Sequence, residues 1–200
     1  GGIGGGGGGS AINLPFNQLP GAAPATGAEP VPPEQDSEAG MVEFVGFVLD
    51  DLQIFWREQF AAGGQEYRDA KLVLFRQSDT SACGPASSGT GPFYCPADER
   101  VYIDLSFFEE LSTRFGAPGD FAQAYVIAHE IGHHVQKVTG ISDQVARKES
   151  SDRSKANELS VRTELQADCL AGVWAYSTYK RDLLESGDLE EGLAAAAAVG

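Results

Sequence analysis

Across residues 41–60 the apolar side chains Phe44, Phe47, Val48, Leu52, Phe55, Trp56 and Phe60 recur at steps of three and four, the spacing of one helix face. Gly63 and Gly64 supply a stop, since glycine enters the left-handed conformation that closes a helix without a Cβ clash. Residues 71–77 then place Leu72, Val73, Leu74 and Phe75 in succession, which predicts a short buried strand. Residues 78–99 are rich in Ser, Gly and Pro and read as a loop with a cysteine near each end. In residues 100–108, Val101, Ile103 and Leu105 alternate with Tyr102 and Asp104, the period of a half-buried strand, and this strand is expected to pair with the first.

The remaining pattern is helical. Residues 106–115 form one helix, interrupted by Gly116, Pro118 and Gly119. Residues 120–138 give the strongest signal: Asp120 is placed to cap, Gln123 follows three residues on, and Ala124, Ala128, Ile131, Val135 and Val138 make an apolar stripe closed by Gly140. Residues 141–155 are polar and read as a surface loop or a short exposed helix. Residues 156–179 carry Leu159, Leu165, Cys169, Leu170 and Val173 on a further helical face. A helical tail at residues 194–198 stops in mid-helix, from which a continuation of the natural sequence is expected. The fold class is α+β, mainly helical with a small sheet.

Composition divides the chain of 200 residues in two. Residues 1–40 hold 11 of the 25 glycines, 6 of the 10 prolines and no Lys or Arg, so they cannot bury enough apolar surface to order themselves. They read as a flexible Gly/Pro-rich spacer, and residues 41–200 as the folded domain. The net charge of −15 argues against nucleic acid as a partner, because a phosphate backbone needs a basic face. No apolar run is long enough to span a bilayer. The three cysteines match no Cys-x-x-Cys motif.

All three histidines lie in HEIGHH, inside the helix of residues 120–138. His129 and His133 are four residues apart, hence on one helix face, and both imidazoles reach a single ion; Glu130 lies beside them to take a proton from polarised water. His134 points about 100° away from His133 and reads as structural, or as a support behind the ligands, rather than as a ligand. A catalytic zinc takes three protein ligands and keeps one position open. No histidine remains for the third, which leaves Asp, Glu or Cys. Glu164 and Asp168 in TELQADC share a helix face, so Glu164 is the candidate ligand, and Asp168, one turn on, the acceptor for the far nitrogen of His129 or His133. Cys169, about 100° around the axis from Asp168, ranks behind both carboxylates.

HEIGHHVQ followed by SVRTELQADCLAGVWA, and preceded by GPFYCP and VYIDLSFF, resembles the bacterial neutral zinc metallopeptidase family, the YpfJ-like group, from residue 41 to the end. The resemblance implies a zincin-type fold with one Zn2+ on His129, His133 and Glu164, Glu130 as general base and Asp168 behind the ligands. It further implies a peptide or protein substrate laid along an edge strand of the small sheet bordering the cleft. The strand containing Val101, Tyr102, Ile103 and Asp104 is the candidate. Family members carry a membrane-spanning helix before the catalytic domain and a segment after it, so an extracytoplasmic enzyme, anchored by a helix upstream of this chain, is expected.

Cys83 and Cys95 bracket a loop of the size a disulfide closes. No residue stands out for stabilising an oxyanion; Tyr102, Tyr125, Asn157 and Arg162 are the candidates. That gap leaves two rival expectations: a catalytically silent, zinc-stabilised binding or scaffold module of the cell envelope, and a storage or sensing site for another divalent metal.

Overall fold

In a computed structural model, which describes residues 38–115 and 119–199, the long first helix α1 (Ala39–Ala62) ends where the glycines predict. Gly64 takes φ +67°, and the amides of Gly63 and Gln65 bond back to the carbonyls of Gln59 and Phe60. The buried stripe is Val45, Val48, Leu52, Trp56 and Phe60. Phe47, expected inside, is 62% exposed, because Val48 takes the core position and its neighbour lies about 100° around the axis.

Five short strands follow: β1 (Lys71–Phe75), β2 (Ser78–Ser81), β3 (Gly84–Ser87), β4 (Phe93–Cys95) and β5 (Arg100–Asp104). The sheet order is β1–β5–β4, with β5 parallel to β1 and antiparallel to β4. The expected pairing of β1 with β5 is present, but the expected edge strand is not an edge. Val101, Tyr102, Ile103 and Asp104 lie in the middle strand, where both neighbours occupy the backbone edges, so no peptide can add there. Nor is β5 half-buried. Val101 and Ile103 enter the main core, while Tyr102 packs on the other face with Phe75, Ala86 and Cys95. Asp104, also buried, accepts from the backbone N–H of Gln77 and from the N–H and hydroxyl of Ser106, which caps the following helix α2 (Leu105–Phe115).

Residues 78–99, expected as a loop, contain the β2–β3 hairpin as well as β4. SDTS and GPAS lack the apolar alternation that signals strands, so local propensity gave no warning. A disulfide between Cys83 and Cys95, with Cα atoms 5.8 Å apart, ties the hairpin to β4.

The helices α3 (Asp120–Val138), α4 (Ile141–Ser151), α5 (Ala156–Lys180) and α6 (Asp188–Val199) complete the chain. The predicted break before α3 falls partly on residues 116–118, outside the described residues. Fourteen of the nineteen residues of α3 are buried, so it is the central helix rather than an amphipathic one. Asp120 does not cap it. Gly119 holds the cap position without a side-chain bond, and the carboxylate of Glu191 on α6 lies directly against it. Of the two readings left open for residues 141–155, the exposed helix is present as α4, which has no buried residue.

The largest departure from the sequence pattern is on α5. Its buried face is Ala167, Ala171, Trp174 and Thr178, while Leu165, Cys169 and Val173 point outward. Small residues win because α5 lies against α3 at very short range. A Cβ on Gly132 would stand 2.9 Å from the carbonyl oxygen of Ala167 and 3.0 Å from its Cα. Trp174 stacks on Phe121 and donates its indole N–H to Asp51, which also binds Arg181, so α5 is fastened to α1 as well. No helix among the described residues is long and apolar enough to cross a membrane.

Two glycine substitutions should separate propensity from packing. Gly→Ala within a helix gains up to about 1 kcal/mol of propensity, whereas overpacking costs about 1–3 kcal/mol. Gly172→Ala, with no atom within 4 Å of its added methyl, is expected to raise the urea midpoint, and Gly132→Ala to lower it. Removing the disulfide with Cys83→Ser and Cys95→Ser should cost up to roughly 3 kcal/mol in the same assay under oxidising conditions.

Candidate metal centre

One face of α3 and one face of α5 meet across the Gly132–Ala167 contact, and their polar side chains converge there. His129 and His133 project from consecutive turns of α3, Glu164 and Asp168 from consecutive turns of α5. Nε2 of His129 lies 3.2 Å from Nε2 of His133 and 3.3 Å from Oε2 of Glu164, and Nε2 of His133 lies 3.2 Å from that same oxygen. The three donor atoms therefore form a nearly equilateral triangle. A tetrahedral ion bound at about 2.0–2.1 Å sets its donors about 3.3 Å apart, so the triangle has the size of one face of a zinc coordination tetrahedron. His129, His133 and Glu164 could hold a metal ion.

The atoms behind this triangle fix its orientation. Nδ1 of His129 is 2.9 Å from Oδ1 of Asp168, and a carboxylate can only accept, so Nδ1 donates and Nε2 faces the cluster. Tyr125 donates its hydroxyl to the same oxygen at 3.2 Å. Burial, reinforced by Asp168, pushes the Tyr125 phenol up and keeps it a donor. Nδ1 of His133 meets Oε1 of Gln136 at 3.0 Å.

Charge and burial oppose each other throughout. Burial draws the His129 imidazole down, but the Glu164 bond and the carboxylates of Glu130 and Asp168 outweigh it and raise the pKa to about 9. His133 is raised by the same balance, burial against Glu164 and Glu130. Glu164 is held down to about 2 by its bonds to His129 and His133. Glu130, only 4% exposed, is pushed up by burial against the pull of His133 and His129, and the backbone amide of Tyr94 also helps hold its charged form.

The triangle opens onto a cleft of ≈ 460 Å³. One wall is β4 with its flanks, Pro92, Phe93, Tyr94 and Pro96; the opposite wall is α4, through Ser142, Val145, Ala146 and Glu149. The strand bordering the cleft is thus β4, one of the two terminal strands of the sheet, and not β5.

Other expectations sort as follows. His134, read as structural, is fully buried and bonds Tyr94 Oη through Nδ1 and the Arg68 carbonyl through Nε2, away from the triangle. Cys169 is exposed and outside it. None of the oxyanion candidates lines the cleft: Tyr102 binds Asp98, Tyr125 binds Asp168, Arg162 pairs with Glu158, and Asn157 is exposed. Two residues were not singled out from the sequence. Gln136 stood in plain view three residues after His133, on the same helix face. Tyr94 sits in a segment read as loop, where no pattern could have placed it.

Residues 16–200 match the model of a family described as "Putative neutral zinc metallopeptidase". The Uncharacterized protein YpfJ of Escherichia coli (strain K12) is 48% identical over 171 residues, covering 85% of this chain and 58% of that protein. An uncharacterized protein of Mycobacterium tuberculosis, strain H37Rv, is 47% identical over 145 residues, covering 67% of this chain and 48% of that protein. The chain spans about half the length of these curated relatives. No solved structure matches it at a significant level.

With its pKa near 9, metal-free His129 carries an extra proton at neutral pH that a bound cation must displace. Calorimetry in buffers of differing ionisation enthalpy should therefore show proton release on zinc uptake at pH 7, with affinity falling as pH is lowered. Glu164→Ala should weaken zinc, measured against a chromogenic chelator, by more than the roughly 10–100-fold typical of outer-shell changes. Cys169→Ser should leave it unchanged.

Proposed function

The chain belongs to the neutral zinc metallopeptidase family, and from that premise we propose that it is a zinc-dependent peptide hydrolase of zincin type. The observation that carries this reading is the triangle of His129, His133 and Glu164 opening onto a cleft with a sheet edge as its wall. When bound, zinc supplies Lewis acidity and lowers the pKa of water at its open position.

The chain's own groups do the rest. Glu130 accepts the proton of the attacking water and returns it to the leaving amine; burial, which raises its pKa, suits it to both transfers. Asp168, buttressed by Tyr125, holds the His129 ring in its ligating orientation. An extended peptide adds along the terminal strand β4, whose main-chain groups give affinity with little side-chain choice. Among the described residues the cleft walls hold Glu130, Glu149 and Glu164 and no Lys or Arg, which disfavours acidic side chains in the substrate.

The Cys83–Cys95 disulfide supports an oxidising, extracytoplasmic setting. In this reading residues 41–200 are the catalytic domain, anchored by a membrane helix upstream; the spacer expected at residues 1–40 lies, but for its last three residues, outside the described residues. A silent zinc-stabilised module is less well supported, since a structural site is closed by a fourth protein ligand and the cluster found among the described residues offers three donors beside an open cleft.

Glu130→Gln is expected to bind zinc with wild-type stoichiometry and to lose about 10²–10⁴-fold in peptide cleavage, measured on a fluorogenic peptide library. Full cleavage by the zinc-loaded variant would sink the proposed general base.

A further inference from the structure

Gln136 is fully buried, yet nothing in the proposed chemistry uses it. Its Nε2 lies 2.8 Å from the backbone carbonyl of Thr163 and 3.1 Å from Oε1 of Gln166, and its Oε1 lies 3.0 Å from Nδ1 of His133. The assignment of oxygen and nitrogen in this amide follows from chemistry. A backbone carbonyl can only accept, so the NH₂ group must face Thr163 and the carbonyl oxygen must face His133. An amide oxygen can only accept as well, so Nδ1 of His133 must be the donor. Nε2 is then the nitrogen left to face His129 and Glu164.

Thr163 immediately precedes Glu164 on α5. The turn of α5 that presents one candidate ligand therefore also dictates, through a single carboxamide, which nitrogen of another ligand is available. We propose that Gln136 is the positioning residue for His133, and that it couples the orientation of His133 on α3 to the Glu164 turn of α5. The inference rests on the zinc reading above. It gives the two histidines chemically different supports: a carboxylate, Asp168, behind His129, and a neutral amide behind His133.

A merely structural role would consist of joining α3 to α5, and the test must separate that from positioning. Zinc affinity by chelator competition, exchange of the His133 Nδ1 proton by NMR in the zinc-loaded full chain, and the thermal midpoint are measured together. Gln136→Met, similar in length but without polar ends, is expected to weaken zinc by about 10–100-fold and to bring the His133 proton into fast exchange. Gln136→Asn keeps an amide but is one methylene too short to span Thr163 and His133, and is expected to change both readouts in the same direction. It carries the test should the methionine variant not fold. Gln136→Glu keeps an acceptor opposite Nδ1 but loses the donor to Thr163, and is expected to keep the slow His133 proton and to bind zinc more tightly than the methionine variant, with the lost Thr163 bond showing in the thermal midpoint.

Wild-type zinc affinity and a slow His133 proton in both Gln136→Met and Gln136→Asn would overturn the inference while leaving the zinc centre standing. So would a fall in thermal midpoint shared by all three variants with the His133 proton unchanged. Absence of stoichiometric zinc from folded wild-type protein would instead overturn the zinc reading itself.

Discussion

Everything at the candidate metal centre depends on how closely two helices approach at one point. Gly132 has no side chain, and Ala167 lies opposite with its backbone where any Cβ would intrude. Close packing of this kind is unforgiving, because interiors are as dense as organic crystals and backbone cannot yield as a flexible side chain does. The candidate ligands flank the contact on both helices: His129 and His133 stand around Gly132, and Glu164, with Asp168 one turn on, stands around Ala167. Separating the helices by the thickness of a methyl group would pull Glu164 from both imidazoles and Asp168 from Nδ1 of His129. The glycine inside HEIGH thus sets the span over which three donor atoms can share one ion.

The electrostatics show why such a site needs rigid backing. Two imidazoles and a carboxylate converge within hydrogen-bonding range of one another, all three with electron pairs to offer. The pairing of the Glu164 carboxylate with the two imidazoles raises the pKa of His129 and lowers that of Glu164. Asp168, Tyr125, Gln136 and the carbonyl of Thr163 form a surrounding set of partners that keep the far nitrogens engaged, so the near ones stay aimed inward.

Much of this was legible in the sequence, and the failures share a cause. The α3 span and the two strands β1 and β5 followed from periodicity; helix phase put Glu164 and Asp168 on one face of α5, and the need for a third ligand directed that face to the histidines. On α5 the same method chose the wrong face, since it weighs hydrophobic bulk and the contact required small residues. On α1 it misplaced Phe47 for want of knowledge of which neighbour reaches the core. It took β5 for an edge strand because β4, only three residues long and set among Ser, Gly and Pro, carries no strand signal of its own. Tyr94 was lost with it, whereas Gln136 was visible at helical spacing and lacked only a reason to be chosen.

The brevity of β4 has a consequence for the protein's life in a concentrated compartment. An open sheet edge is a template on which copies of a chain can stack into aggregates, and natural proteins blunt such edges. On the cleft side the terminal strand is three residues long, bounded by Pro92 and Pro96, neither of which has an N–H to offer, and it is pinned at Cys95 by a covalent bond. It can hold one short guest strand but cannot extend the register that a growing fibril needs. On the proposed reading, the wall of the cleft is therefore sticky to a single peptide and barren to its own kind.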